Sequence, residues 1–214
     1  MSKKIFLISG LGADERMFHR LNFYNCTPVF IKWLPTKKNE NIADYASRLL
    51  TQITEENPVI IGLSFGGIIA VEIAKQIKTE KIILISSAKD KSEIPFLYKF
   101  AAYFKLNKLI PKQLFKQTNF FVYWLFGVKN EEDKNLLKEV LKDTDLDFAV
   151  WAIEQIINWK NDYLPQNLHR IHGSNDHLLP LKVLPPDFEI ENGSHLMVLN
   201  NAEEVSTALQ EILN

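Results

Sequence analysis

The chain has 214 residues, enough for one domain with a sizeable core. Apolar residues make up 46% and charged residues 24%, the profile of a globular protein. The net charge is -1, so no overall electrostatic argument favours nucleic acid. The single cysteine, Cys26, cannot form an intrachain disulfide and fits a reducing compartment.

The chain opens with Lys3 and Lys4, then an apolar run at residues 5–8 that is too short for the hydrophobic region of a signal peptide. No segment approaches the roughly 18 apolar residues of a membrane span. A soluble, cytoplasmic protein without stable membrane anchoring is expected. Residues 5–8 read as a buried strand. Asp14-Glu15-Arg16 caps and braces a first helix that reaches His19. Residues 29–34 read as a second strand closed by Pro35, and residues 41–54 as a helix with Ile42, Tyr45, Ala46, Leu49, Leu50 and Ile53 on one side. Residues 59–63 are a third strand, 68–77 the helix after it, and 82–85 a fourth strand. About 80 residues without a strand pattern follow, too long for one crossover helix. They read as several helices broken at Pro95, Pro111 and Gly127. Residues 168–171 and 188–190 supply two more strands. The last helix spans about 202–212 and is opened by the capping pattern Asn201-Ala-Glu-Glu204.

Strands that are apolar throughout are buried on both faces, and here they alternate with helices. A mostly parallel sheet of about six strands, covered by helices on both faces, is therefore expected. The core would comprise residues 1–88 and 160–214, with 89–159 inserted as a helical cap. In such sheets reactive groups gather at the carboxyl ends of the strands.

Gly62-Leu63-Ser64-Phe65-Gly66 fits G-x-S-x-G where a strand pattern changes to a helix pattern. The glycines clear space for a tight, strained turn that lifts a hydroxyl above the sheet. A bare helix cap with closely packed glycines is the plainer reading. A serine nucleophile needs a base. His195, in "ENGSHLMVL" beyond the last strand, fits best. His19 belongs to the first helix, and His169 and His172 to the fifth strand as satisfied structural residues, while His177 is a rival. The base needs an acid. Asp176, in "IHGSNDHLLP" after the fifth strand, is the leading candidate. Asp90 and the acidic turn Asp143, Asp145, Asp147 are the alternatives.

The chain order Ser64, Asp176, His195 and the stretches "GLSFGG", "HGSND" and "GSHLMVL" resemble the α/β-hydrolase superfamily over nearly the whole chain. The resemblance implies an oxyanion hole from the backbone N–H groups of Phe65 and Leu11. Ser9-Gly10 stands where that family usually has His-Gly, which puts the local support of the loop in question. The chain also begins directly at the oxyanion strand, without the usual N-terminal hairpin. The implied activity is hydrolysis of a carboxylic ester or thioester of a small substrate, with no metal or organic cofactor. Acyl transfer, carbon–carbon bond hydrolysis and lyase chemistry can use the same triad. A non-catalytic small-molecule receptor is the alternative of another class.

The inserted segment is rich in aromatic residues. Phe100, Phe104, Phe121 and Trp124 are the candidate lining of an apolar substrate pocket. Residues 89–129 hold eight lysines and two acids, so this segment is +6 and the remainder -7. Such a pattern is either a solvated face that keeps the aromatic cap soluble or a weak contact with anionic lipid. Nothing in the sequence bears on oligomeric state.

Overall fold

A computed structural model describes residues 2–95, 116–181 and 186–214. Six strands form one sheet in the order β2-β1-β3-β4-β5-β6. They are β1 Lys3–Ile8, β2 Cys26–Phe30, β3 Val59–Leu63, β4 Lys81–Ile85, β5 Leu168–Gly173 and β6 Phe188–Ile190. All five neighbouring pairs are parallel. The chain steps outward from β1 to β2, then returns past β1 to β3 and continues in one direction. The reversal opens a crevice at the carboxyl ends of β1 and β3, where ligands of such sheets bind.

Alternation along the strands divides the core in two. Ile5 and Leu7 of β1 and Ile61 and Leu63 of β3 face one cluster, and Phe6, Ile8 and Ile60 face the other. The second cluster is covered by α1 (Ile42–Leu49), α2 (Phe65–Ala74) and α5 (Leu146–Asn158). The first is covered by α3 (Phe120–Phe126), α4 (Glu131–Asp143), α6 (Met197–Asn200) and α7 (Ala202–Leu213), together with a 3-10 turn at Glu15–Phe18. Every residue of α2 is buried, which is why its sequence is apolar all round. Its Glu72 accepts a 2.7 Å hydrogen bond from Trp159 Nε1 and pairs with Lys75 Nζ.

The helices between β4 and β5 are not all peripheral. Phe148 of α5 lies 5.0 Å from the Trp33 ring, and Trp151 lies 4.5 Å from Tyr45. These side chains complete the aromatic cluster around Phe65. Gly127 ends α3 in the left-handed conformation, φ +72°, as its expected role as a breaker requires.

The second strand lies at Cys26–Phe30, not at 29–34. The ladder ends once the Ile31 N–H reaches Leu7 O. Trp33 then turns inward to stack on Phe65 at 5.6 Å, and the Leu34 N–H donates to the Tyr45 hydroxyl. Pro28 argues against a central strand, but β2 is an edge, where proline is tolerated. The helix after β3 begins at Phe65, three residues before the apolar run suggested, because Gly66 and Gly67 form its first turn. Asn201 does precede the last helix, but its side chain caps no backbone group and instead contacts Glu204 Oε1 at 3.2 Å.

Candidate active site

Ser64 stands between the last residue of β3 and the first of α2, at φ +51° and ψ -119°. A non-glycine residue occupies this region only when its surroundings hold it there. Ser64 N–H donates to Ile85 O at 2.9 Å. Its carbonyl accepts from Gly67 N–H at 2.9 Å and from the Ser87 hydroxyl at 2.6 Å. The glycines around it are forced by contact. A Cβ on Gly62 would stand 2.4 Å from Gly66 O, and one on Gly66 would stand 2.2 Å from Ile8 O.

His195 Nε2 lies 2.9 Å from Ser64 Oγ, and its Nδ1 lies 2.8 Å from Asp176 Oδ2. A carboxylate only accepts, so Nδ1 carries the proton and the Nε2 lone pair faces the serine hydroxyl. The His195 ring is buried, as is Asp176. Asp176 Oδ1 accepts from the N–H groups of Leu178 (2.9 Å) and Leu179 (2.8 Å). Burial pushes the Asp176 carboxyl up. The facing His195, the hydrogen bonds from His172 and His195 and the Leu179 N–H outweigh burial and hold the carboxyl well below the usual range.

The loop after β1 lies beside the serine: a Cβ on Gly10 would stand 3.6 Å from Ser64 Cβ. Leu11 is in this loop. Phe65 is the first residue of α2, so its N–H has no carbonyl one turn back to bond. Three contacts brace the loop in the absence of the His-Gly pair. Ser9 Oγ donates to Asp14 O (3.0 Å), Trp33 Nε1 to Ala13 O (2.9 Å), and Thr144 Oγ1 to Gly12 O (2.9 Å). Gly12, at φ +67°, also packs so closely on Thr144 that a Cβ would overlap it. Arg16 ties Asp14 to Asp143 of α4.

The rival residues are elsewhere. Asp90 accepts from the backbone and hydroxyl of Ser92. Asp145 caps α5, and Asp143 pairs with Arg16. His19 Nδ1 donates to Arg16 O, and His177 stacks on Trp124 at 4.2 Å. His172, expected as a satisfied structural residue, has a partner of consequence. Its Nε2–H donates to Leu179 O at 2.8 Å and lies 3.3 Å from the same Asp176 oxygen that holds His195. Its position four residues before Asp176 was the available signal.

Of the four pocket candidates, Phe100 and Phe104 lie outside the described residues. Phe121 and Trp124 are on the exposed face of α3. Trp124 lines a cleft of about 900 Å³ whose described lining includes neither Ser64 nor His195. Phe126, not singled out from sequence, meets the His195 ring edge-on at 5.8 Å. Leu196 N–H donates to Phe126 O, so the end of α3 is tied to the histidine loop. Among the described residues no cluster of three or more His, Cys, Asp or Glu could hold a metal ion, and no helix is long and apolar enough to cross a membrane.

The parallel sheet with its reversal at β1, and the strained serine between β3 and α2, define the α/β-hydrolase fold. The chain is similar to solved structures of that fold throughout its length. An esterase from Thermogutta terrifontis is 14% identical with TM-score 0.71, covering 99% of this chain and 89% of its own. The 2-hydroxy-6-oxo-6-phenylhexa-2,4-dienoate hydrolase of a Rhodococcus is 14% identical with TM-score 0.70, covering 99% and 90%. A bromoperoxidase from Bacillus anthracis is 17% identical with TM-score 0.66, covering 100% and 92%. No family profile matches the sequence, and no curated protein matches it.

Proposed function

We propose that the chain is a serine hydrolase that cleaves a carboxylic ester, or a thioester, of a small and largely apolar substrate through an acyl-enzyme. The observation that carries the reading is the hydrogen-bonded chain Ser64 Oγ, His195, Asp176, with links of 2.9 and 2.8 Å. Ser64 Oγ attacks the carbonyl carbon as His195 Nε2 takes the hydroxyl proton. The oxyanion is held by the N–H groups of Leu11 and Phe65, a kind of donor whose loss costs about 10²–10³ in rate. Collapse expels the alcohol or thiol, which leaves with the proton from His195. Water then attacks the acyl group with His195 as base, and the acid departs, restoring Ser64. Asp176 keeps its charge throughout and stabilises the imidazolium.

The edge-on Phe126 ring beside His195 favours an apolar substrate. An esterase and a hydrolase among the structural likenesses agree with the class of reaction. A cytoplasmic site of action is part of the proposal, in keeping with a single, free cysteine. Labelling with a fluorophosphonate, followed by mass spectrometry, is expected to modify Ser64. Undiminished labelling of a Ser64→Ala variant would overturn the assignment. With p-nitrophenyl esters of increasing chain length, turnover should rise beyond acetyl; strongest turnover of the acetyl ester would overturn the apolar pocket.

A further inference from the structure

His172 is the next-to-last residue of β5 and is 3% exposed, so its ring has to find its partners inside the protein. Its Nε2–H is shared between two acceptors. The nearer is Leu179 O at 2.8 Å, and the farther is Asp176 Oδ2 at 3.3 Å. Leu179 closes the circuit, because its N–H donates to Asp176 Oδ1 at 2.8 Å. The end of β5, the carboxylate and the turn at residues 176–179 thus form one ring of contacts. Four N–H groups surround the carboxylate: those of Leu178 and Leu179 at Oδ1, and those of His195 and His172 at Oδ2. Without His172, the side of Oδ2 toward β5 would be open and the carboxylate freer to turn.

The loops that carry Asp176 and His195 do not need His172 to stay together. Asn175 N–H donates to Gly193 O at 2.9 Å, and Asn192 N–H donates to Ser174 Oγ at 2.8 Å. Gly173 packs so closely on Gly193 that a Cβ would overlap it. The other charged groups near this end of β5 are engaged elsewhere. Arg170, two residues back on the same face of the strand, pairs with Glu93 at 3.1 Å, and its backbone N–H donates to Asp187. His177, next to Asp176 in sequence, turns to Trp124 O at 3.1 Å. Among the described residues, the side chains that pair with Asp176 are His172 and His195.

We propose that His172 is a positioning residue for the reaction, whose Nε2–H fixes the Asp176 carboxylate with Oδ2 toward His195 and so aligns His195 with Ser64. The inference rests on the serine-hydrolase function proposed above. It has a second consequence. A donor at Oδ2 draws off charge that would otherwise favour a proton on the Asp176–His195 pair, so loss of the donor raises the proton affinity of the pair. The sign is the same whether the His172 ring is neutral or cationic.

The test compares His172→Phe, which keeps a flat ring and removes the donor, with His172→Gln, whose amide nitrogen is as many bonds from Cβ as Nε2 is. Fluorophosphonate labelling to completion counts the competent sites, and p-nitrophenyl ester rates are taken per labelled site. The Phe variant should lose about tenfold in kcat with KM little changed, the worth of one hydrogen bond to a charged group. The acid limb of its kcat–pH profile should move to higher pH by about 0.5. The Gln variant should recover kcat to within about threefold of the parent and return the limb to its place. A Phe variant with parental kcat overturns the proposal. So does a Phe variant that is slowed with its acid limb unmoved, or a folded Gln variant as impaired as the Phe variant. If circular dichroism shows the Phe variant unfolded, His172→Asn, whose amide is one bond shorter, is expected to show the same loss and the same displacement and is judged by the same outcomes. A parent that does not label at Ser64 overturns the hydrolase function itself, whereas the other adverse results arise with a labelled parent and overturn only the role of His172.

Discussion

The backbone of Ser64 stores strain that can be measured apart from its chemistry. At φ +51°, ψ -119° a residue with a Cβ costs about 1–3 kcal/mol relative to an ordinary conformation. Ser64→Ala removes the hydroxyl and its hydrogen bond to His195 but keeps the Cβ and therefore the strain. Ser64→Gly removes the same hydrogen bond and releases the strain, at a cost of about 0.5–1 kcal/mol from the freer unfolded chain. The difference between the two variants cancels the loss at His195. It leaves the glycine variant more stable by about 1 kcal/mol, which for a chain of this length is about 2–4 °C in Tm. Both variants should be unreactive toward fluorophosphonate, so the comparison is of stability alone. Differential scanning calorimetry of the pair, with urea titrations as a second measure, is the assay. An alanine variant as stable as the glycine variant, or more so, would refute the claim that the turn is strained and held by its surroundings.

Asp176→Asn keeps the side-chain shape but presents an amide to His195, and kcat is expected to fall about 10⁴-fold; a loss under tenfold would contradict the proposed role. The folded-state pKa of Asp176 is depressed below its unfolded value near 3.8. Its stabilisation is thus complete above about pH 5 and lost as pH falls through 3.8 and below. The stability gap between parent and Asp176→Asn should narrow from pH 7 to pH 3 in urea titrations. Thr144→Val keeps the branched shape against Gly12 but removes the hydroxyl bond to its carbonyl. Since the neighbouring Leu11 N–H is the proposed oxyanion donor, kcat should drop about tenfold with KM little changed; the reverse pattern in steady-state kinetics would count against this bracing. Gly66→Ala puts a Cβ against two backbone carbonyls, Ile8 O and Ser9 O, at 2.2 and 2.3 Å. A loss of more than about 2 kcal/mol in chemical unfolding is expected.

The parallel sheet was legible because its central strands carry their burial in their composition. Residues 59–63 and 188–190 were bounded as the structure has them, for β3 is buried at every position. Strand β2 was not, because its start is polar and contains a proline, while the apolar Trp33 and Leu34 beyond it are half-buried through side-chain contacts and not through a ladder. Ser64, Asp176 and His195 each follow a strand within a short recognisable stretch, and the fold brings them into contact. Their supports were not legible. Thr144 is 132 residues from Gly12, and Trp33 is 20 from Ala13. Such pairs leave no spacing signal: the packing of α4 and α5 on the core brings Thr144 to Gly12, and the parallel pairing of β1 with β2 brings the segment after β2 beside the loop after β1. The two described pocket candidates, Phe121 and Trp124, are exposed for a related reason. Aromatic content identified a segment rich in contacts, but the direction of each ring depends on which face of α3 meets the core.

The position of Pro28 has a consequence for the margin of the sheet. In a parallel strand successive N–H groups point to alternate sides, and the Ile31 N–H points to β1. Pro28 therefore falls on the other parity, and the donor it lacks would have faced outward. A seventh strand arriving from another molecule would meet a gap in its ladder there. At the opposite margin, β6 offers only three residues to pair with. With an interrupted edge and a short one, the six strands among the described residues are kept from templating intermolecular β-structure.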